Sequence, residues 1–133
     1  MKTIQTSGKR KSAIARASVR AGTGVIRING VPVDKLEPEL AKMKIEELLI
    51  IAHDEKLKTV NIDVDVRGGG VIGQIDAARI ALSRAITKFL KKKTIIRAIK
   101  DYDRSMLSGD SRSVEMKKWG GRKARKRFQK SYR

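Results

Sequence analysis

The last seventeen residues, 117–133, are rich in groups that bind phosphate. They read KKWGGRKARKRFQKSYR, in which nine residues are Lys or Arg and none is acidic. Each cation can meet a phosphate and release a condensed counterion, and the guanidinium fork of Arg grips phosphate with two hydrogen bonds. Trp119, Phe128 and Tyr132 add ring faces on which unpaired bases can stack. The pattern indicates an arm that binds nucleic acid, with a nuclear-import signal or a solubilising tail as the alternatives.

A second basic cluster lies near the start of the chain. Residues 1–20 contain six bases and no acid, and five of the six are Lys9, Arg10, Lys11, Arg16 and Arg20. Gly8-Lys9 lacks the upstream glycine of a phosphate-binding P-loop, so the cluster is interpreted as a surface that contacts nucleic acid. The alternative interpretation is that these cations form a basic surface exposed to solvent, with no binding partner.

Arg67 and the glycines Gly68, Gly69 and Gly70 precede a predicted long helix. Glycines let a backbone approach a ligand closely, and the start of a helix offers free N–H groups to a phosphate. The alternative is a turn that needs positive φ. A phosphate held here could belong to a polynucleotide or to a nucleotide, so a nucleotide-binding enzyme is the rival interpretation.

Residues suited to other chemistry are few. The chain has no Cys, and its one histidine, His53, is expected at a helix end. Asp63 and Asp65 lie on the outer face of a predicted strand, where solvation or pairing with a cation is more common than metal binding. We therefore expect no catalytic residue, no metal and no cofactor.

Alternating and helical patterns predict where these residues are held. Residues 12–20 and 59–66 alternate as half-buried strands, and residues 25–28 form a further strand after a glycine turn. We expect 12–20 and 25–28 to pair as a hairpin. Asn29-Gly30 predicts a second turn, and Pro32 marks the end of regular pairing.

Helical periodicity predicts three helices, at 42–55, about 71–91 and 94–100. Strands and helices in this order predict an α+β domain, in which a small mixed sheet carries helices on one face. We expect residues 1–103 to form this domain and residues 104–133 to form an extended basic RNA-binding tail.

Charge is unevenly distributed along the 133 residues, whose net charge is +18. Residues 34–65 contain nine acids and five bases, whereas residues 88–133 contain seventeen bases and four acids. Such a chain needs a strongly anionic partner. Because no helix-turn-helix, zinc finger or basic zipper is evident, RNA within a large ribonucleoprotein is favoured over DNA. The N-terminus has no apolar run typical of a secretory signal, so a cytoplasmic location is expected.

Motifs along nearly the whole chain resemble the universal small-subunit ribosomal protein nine family. They include GKRKSA at 8–13, ARA at 15–17, GGG at 68–70 with GQ at 73–74, and AAR at 77–79. Further matches are SRA at 83–85, Asp110, Arg112, KK at 117–118 and KAR at 123–125. The ending, FQKSYR at 128–133, is similar to archaeal and eukaryotic members, and Tyr132 stands where bacterial members carry a cation.

The resemblance implies a fold like the second domain of small-subunit ribosomal protein five. It implies partners in the subunit head, namely small-subunit rRNA and neighbouring ribosomal proteins, and a tail that reaches the peptidyl-site tRNA. Residues expected at the tRNA are Lys130, Ser131, Tyr132 and Arg133, with Arg133 on the tRNA backbone. Residues expected at the rRNA are Lys9, Arg10, Lys11, Arg16, Arg67, Gly68, Gly69, Gly70, Arg79, Arg112, Lys117, Lys118, Arg122, Lys123, Arg125, Lys126 and Arg127.

Overall fold

A computed structural model describes residues 3–132 and contains five strands and four α-helices within that range. The strands are β1 Ile4–Arg10, β2 Ala13–Ala21, β3 Ile26–Ile28, β4 Val31–Pro32 and β5 Val60–Arg67. The helices are α1 Glu39–Ile51, α2 Val71–Leu90, α3 Lys93–Tyr102 and α4 Ser105–Ser108. Two short 3-10 segments, Val33–Lys35 and Glu55–Thr59, flank α1.

All five strands belong to one mixed sheet in the order β1-β2-β5-β3-β4. β2 is antiparallel to both β1 and β5, and β3 is parallel to β5. The predicted hairpin between residues 12–20 and 25–28 is therefore wrong, because β5 lies between those strands. β5 pairs with β2 over eight residues, which the three-residue β3 could not match. The turn at Asn29-Gly30 is confirmed, since both residues have positive φ between β3 and β4.

The predicted alternation of β2 and β5 is confirmed. Ala13, Ala15, Ala17 and Val19 of β2 are buried, and so are the alternate residues of β5 from Val60 to Val66. α2 covers this inner face, with Ile75, Ala78, Leu82, Ala85 and Ile86 in the same core. The sheet carries helices on one face, so the α+β class is confirmed.

The three predicted helices are present with shifted ends. α1 begins at Glu39, directly after Pro38, three residues earlier than the apolar pattern indicated. A proline is tolerated there because the first N–H groups of a helix have no intrahelical partner. α2 ends at Leu90, and α3 extends two residues beyond the predicted end.

β1 was missed in the sequence because its inner face carries Thr6 and Gly8 instead of large apolar side chains. Gly8 is buried, and a Cβ there would lie 2.6 Å from the backbone nitrogen of Ala81 and closer still to the carbonyl oxygen of Ala77. The glycine therefore lets the backbone of α2 pack directly on β1. Thr6 strengthens the same contact by donating a hydrogen bond to the Ala81 carbonyl at 2.9 Å.

Replacing this glycine should destabilise the domain. We expect Gly8→Ala to lower the free energy of unfolding by about 1–3 kcal/mol, because the added methyl forces α2 away from β1. Gly70→Ala is the matched control, since a Cβ at residue 70 meets nothing within 4 Å and the φ of Gly70 is −96°. Urea unfolding of both variants measures the difference, and equal stabilities would refute the close-packing explanation.

Candidate nucleic-acid interface

The face of the sheet opposite the helices is open and carries cations from three strands. Lys9, Ile14 and Arg67 lie side by side across β1, β2 and β5, and Arg16 lies two residues further along β2. All four side chains are exposed. Neighbouring strands are about 4.8 Å apart, so these cations lie within one small area. The structure thus brings together three predicted RNA-binding residues that are up to 58 positions apart.

Acidic residues on the open face do not form a metal site. Asp63 pairs with Arg27 of β3 at 3.7 Å, as expected for a carboxylate on a half-buried strand. Within residues 3–132, no group of three or more metal-binding side chains comes together. His53 is exposed just after α1. In the part of the chain that the structure describes, no helix is both long and apolar enough to cross a membrane.

The turn between β1 and β2 lies against the glycine-rich turn. A Cβ on Gly68 would lie 2.8 Å from the Ser12 carbonyl oxygen, and one on Gly69 would lie 3.1 Å from the nitrogen of Ala13. Both glycines have positive φ, 77° and 70°, so local geometry already requires them. Gly70 differs, because neither its φ nor its surroundings demand a glycine. Its missing side chain leaves the start of α2 open to a close-approaching group.

Lys11 occupies the β1–β2 turn with an unusual backbone. Its φ is 53°, in the left-handed region that Gly and Asn adopt far more easily than other residues. Its side chain is exposed next to the open face. The chain therefore keeps a cation at a position where glycine would fold with less strain.

The segment after α3 is fixed to the domain by Ser83 and Arg84 of α2. The Arg84 guanidinium donates to the carbonyl oxygens of Leu107 at 2.8 Å, Ser108 at 2.9 Å and Ser7 at 2.7 Å. The buried Ser83 hydroxyl donates to the Met106 carbonyl. Met106 itself lies in the core. These contacts hold residues 106–108 against α2 and the end of β1, and the predicted domain boundary at residues 103/104 stays a prediction.

Arg10 extends this attachment to residues 110–112. Its guanidinium pairs with the Asp110 carboxylate at 3.4 Å and donates to the Arg112 carbonyl at 3.0 Å. Its side chain is only 18% exposed, so Arg10 faces the C-terminal segment while its neighbours Lys9 and Lys11 face outward. A groove of about 520 Å³ lies between these two lysines, Arg84 and residues 108–113.

Asp110 lies between two cations. Its carboxylate accepts hydrogen bonds from the side chain and the backbone N–H of Arg112, which hold the pKa of Asp110 far below its usual range, and the charge of Arg10 lowers it further. The same contact raises the pKa of Arg112. Because the folded-state pKa is depressed, the stabilisation is complete above the ordinary carboxyl pKa of about 3.9 and is lost as the pH falls below it.

Removing one of these cations should change the titration of Asp110. We expect Arg112→Ala to shift the midpoint of the Asp110 carboxyl resonance upward, because the largest cause of the depressed pKa is removed. Arg112→Lys keeps the charge without the guanidinium fork and should give an intermediate midpoint. NMR titration of the full chain measures these values. A midpoint unchanged in Arg112→Ala would show that Asp110 and Arg112 are not paired in solution.

Residues 113–132 are almost wholly exposed but contain local structure. Gly121 and Arg127 pair as an antiparallel bridge, and the Arg122 N–H donates to the Lys126 carbonyl at 2.8 Å. Glu115 pairs with Lys118 at 3.1 Å and with Arg125 at 3.0 Å. We call residues 121–127 the basic loop.

The basic loop presents most of the tail residues that were predicted to bind rRNA. These residues are Arg122, Lys123, Arg125, Lys126 and Arg127, with Lys117 and Lys118 just before the loop, and all seven are exposed. Trp119 and Phe128 flank the loop in one hollow, with the Arg122 guanidinium 5.9 Å from the Phe128 ring centre. Lys130, Ser131 and Tyr132 follow in irregular chain, and Arg133 lies outside the described residues.

Arg79 is placed apart from the other predicted rRNA-binding residues. Its guanidinium pairs with Glu47 of α1 at 2.6 Å and lies 4.0 Å from Asp103, and its side chain is only 14% exposed. Its Nε is buried without a hydrogen-bond partner among residues 3–132. This geometry favours a role in holding α1 and the end of α3 on α2.

Fold and surface together define a small α+β protein with a cationic sheet face and a basic C-terminal extension. The model of a known family, ribosomal protein S9/S16, matches residues 8–133. The chain therefore belongs to the ribosomal protein S9/S16 family.

Archaeal relatives support the same membership along the whole chain. Small ribosomal subunit protein uS9 of Desulfurococcus amylolyticus is 50% identical over 133 residues, which are all of this chain and 94% of that protein. The uS9 protein of Methanothrix thermoacetophila is 49% identical over the full length of both chains. That of Halobacterium salinarum is 47% identical over 128 residues, 96% of this chain and 97% of its own.

Membership of this family confirms several predictions from the sequence. The chain is a structural protein of the small ribosomal subunit, located in the ribosome in the cytoplasm, and its partners are the rRNA and the other proteins of that subunit. It is not an enzyme, so the nucleotide-binding rival is set aside. The archaeal or eukaryotic type inferred from the C-terminal ending is also confirmed, because these three relatives are archaeal.

Proposed function

We propose that the protein binds small-subunit rRNA in the subunit head through one continuous cationic surface, and that its tail reaches the peptidyl-site tRNA. The surface comprises the open sheet face, the two turns beside it and the basic loop. One observation carries the proposal: Arg10, Asp110 and Arg112 attach the root of the tail next to Lys9 and Lys11. Two cationic segments a hundred residues apart therefore begin at the same edge of the domain.

Electrostatics explains why such a surface needs RNA. The outward side chains of Lys9, Lys11, Arg16 and Arg67 contribute nothing to the core, and apart from Asp65, which lies opposite Arg16, the neighbouring charges on this face repel one another. Beside an RNA phosphate backbone each of these charges makes a favourable contact. Each contact adds about 0.7–0.9 to the salt slope, which is the decrease of log K with log salt concentration. The open start of α2 at Gly70 adds N–H groups that suit a phosphate oxygen.

The dimensions of the tail suit a distant second partner. Residues 113–120 and 128–132 lie outside the basic loop, and an extended chain covers about 3.3–3.6 Å per residue. These thirteen residues carry the tail up to about 43–47 Å from its attachment. Lys130 and Arg133 would meet the tRNA backbone, with Ser131 and Tyr132 donating hydroxyl hydrogen bonds or, for Tyr132, stacking on a base.

Lys11 gives a test in which stability and binding change in opposite directions. We expect Lys11→Gly to raise the free energy of unfolding by about 0.5–1 kcal/mol, because glycine relieves the left-handed strain. The same change should lower the salt slope of rRNA-fragment binding by about 0.7–0.9, since one phosphate contact is lost. Lys11→Ala is the control, which loses the contact and keeps the strain. Unchanged salt slopes in both variants would exclude Lys11 from the interface.

Deleting residues 130–133 tests the tRNA contact separately. We expect the truncated protein to fold and enter the subunit normally, because residues 130–132 are exposed and lie outside the helices and strands. Peptidyl-site tRNA should dissociate about five- to thirtyfold faster, corresponding to a loss of roughly 1–2 kcal/mol. The control is the double variant Lys35→Gln, Lys58→Gln, which also removes two positive side chains, but from exposed positions outside the tail. Failure of assembly, or an unchanged tRNA dissociation rate, would contradict the proposed contact.

A further inference from the structure

Helix α3 carries a stripe of cations on the helical side of the domain. Lys93, Arg97 and Lys100 are spaced i, i+4 and i+7, so they project from the same side of the helix, and all three are exposed. The opposite side of α3 contacts the core through Ile99, which is fully buried, and Ile95. We call the three residues the α3 stripe.

The α3 stripe is not neutralised by ion pairs, although Asp101 lies one helical turn from Arg97. Two other cations close to the helices are paired with acids: Lys44 with Asp76 at 2.7 Å, and Lys92 with Asp54. Within residues 3–132, none of the ion pairs involves a residue of the stripe. Residues 88–104 contain seven bases and two acids, and one of these acids, Asp103, faces Arg79. The local charge is therefore left for a partner outside the chain.

The same region carries lysines where they disfavour folding. Lys93 is the first residue of α3, where the helix dipole disfavours cations, and the first turn contains no acid. Lys91 also has a φ of 52° at the end of α2, a position that glycine usually fills. These residues cost stability in the free protein, which is expected of side chains kept for binding.

We infer that the α3 stripe is a second RNA-docking surface, which binds the phosphate backbone of an rRNA segment different from the one at the sheet face. This inference rests on the proposed function. α3 packs against α1 and α2, so the helix layer, about 10–12 Å thick per helix, separates the stripe from the open sheet face. That thickness exceeds the Debye length of about 8 Å at physiological salt. The electrostatic attraction of each surface is therefore independent of the other, and the domain bridges two RNA segments.

The chemistry of the stripe favours backbone contact over base recognition. Its three residues are Lys or Arg, and the aromatic residue of α3, Tyr102, projects from the other side of the helix, about 140–160° around from Arg97 and Lys100. Without a ring beside the cations, unpaired bases have nothing to stack on. Binding at the stripe should therefore tolerate changes of sequence and suit the backbone of an RNA duplex.

A bridging assay with the full chain tests this surface. The probes are RNA duplexes of about 16 base pairs, half labelled with a donor dye and half with an acceptor. We expect wild-type protein to produce energy transfer by holding two duplexes. The variant Lys93→Gln, Arg97→Gln, Lys100→Gln should lose more than half of the transfer and lower the salt slope by about 2, while it still binds the first duplex. Lys35→Gln, Lys42→Gln, Lys58→Gln removes equal charge elsewhere and should behave as wild type.

A second variant guards against misfolding. Lys93→Ala removes a stripe cation from the first turn of α3, where the helix dipole disfavours it, so this variant should melt at the same or a higher temperature and yet reduce energy transfer. Equal energy transfer in all proteins would overturn the α3 surface while leaving the proposed function intact, whereas a wild type that binds no duplex would overturn the proposed function itself. If the triple variant loses binding only to poly-glutamate, the stripe docks an acidic protein segment and the RNA inference is wrong.

Discussion

The described course of the C-terminal segment depends on the hydrogen bonds that Arg84 donates to three backbone carbonyl groups. The carbonyls of Leu107 and Ser108 lie at the end of a short helix, where intrahelical donors are lacking. The Ser7 carbonyl belongs to the edge strand β1. One guanidinium thus joins α2, α4 and β1. All three of its acceptors are backbone carbonyl oxygens, so no acidic side chain takes part. Its geometry fixes the point at which the tail leaves the domain.

Close packing beneath this junction gives it a rigid support. Gly8 lets the backbone of α2 pack against β1. The small residues Ala13, Ala15 and Ala17 of β2 let the rest of the helix pack equally close to the sheet. Alanine-rich surfaces bury little area per residue, so the core depends on close approach more than on large side chains. This explains how a protein with only 4% aromatic residues in its sequence holds a 20-residue helix on its sheet.

Much of this arrangement was predictable from the sequence. The alternation of β2 and β5, the stripe of α2 and the turn at Asn29-Gly30 are local patterns, and all three are confirmed. Strand order was not predictable, because pairing of β2 with β5 joins residues 39 to 53 positions apart. β1 was not predicted because the close packing of α2 requires Gly8 on its inner face, and a glycine there interrupts the apolar alternation that marks a strand.

The interface shows the same division between local and distant information. Charge and spacing predicted Lys9, Lys11, Arg16 and Arg67 as RNA-binding residues, and in the structure all four are exposed on the open sheet face or in the turn beside it. The sequence could not show that Arg10 and Arg79 form ion pairs within the protein, because their partners Asp110 and Glu47 are distant in the chain. Arg84 was missed altogether, since its acceptors are backbone carbonyls, which leave no signature in the sequence.

The closed form of the basic loop has a consequence for the thermodynamics of assembly. Ordering one backbone residue costs about 1–2 kcal/mol of conformational entropy, so seven fully flexible residues would consume much of the energy gained from their phosphate contacts. The bridge between Gly121 and Arg127 and the pairing of Glu115 with Arg125 already restrict this segment before any partner arrives. The loop can therefore dock as a preorganised unit, and the ordering cost falls mainly on the chain on either side of it.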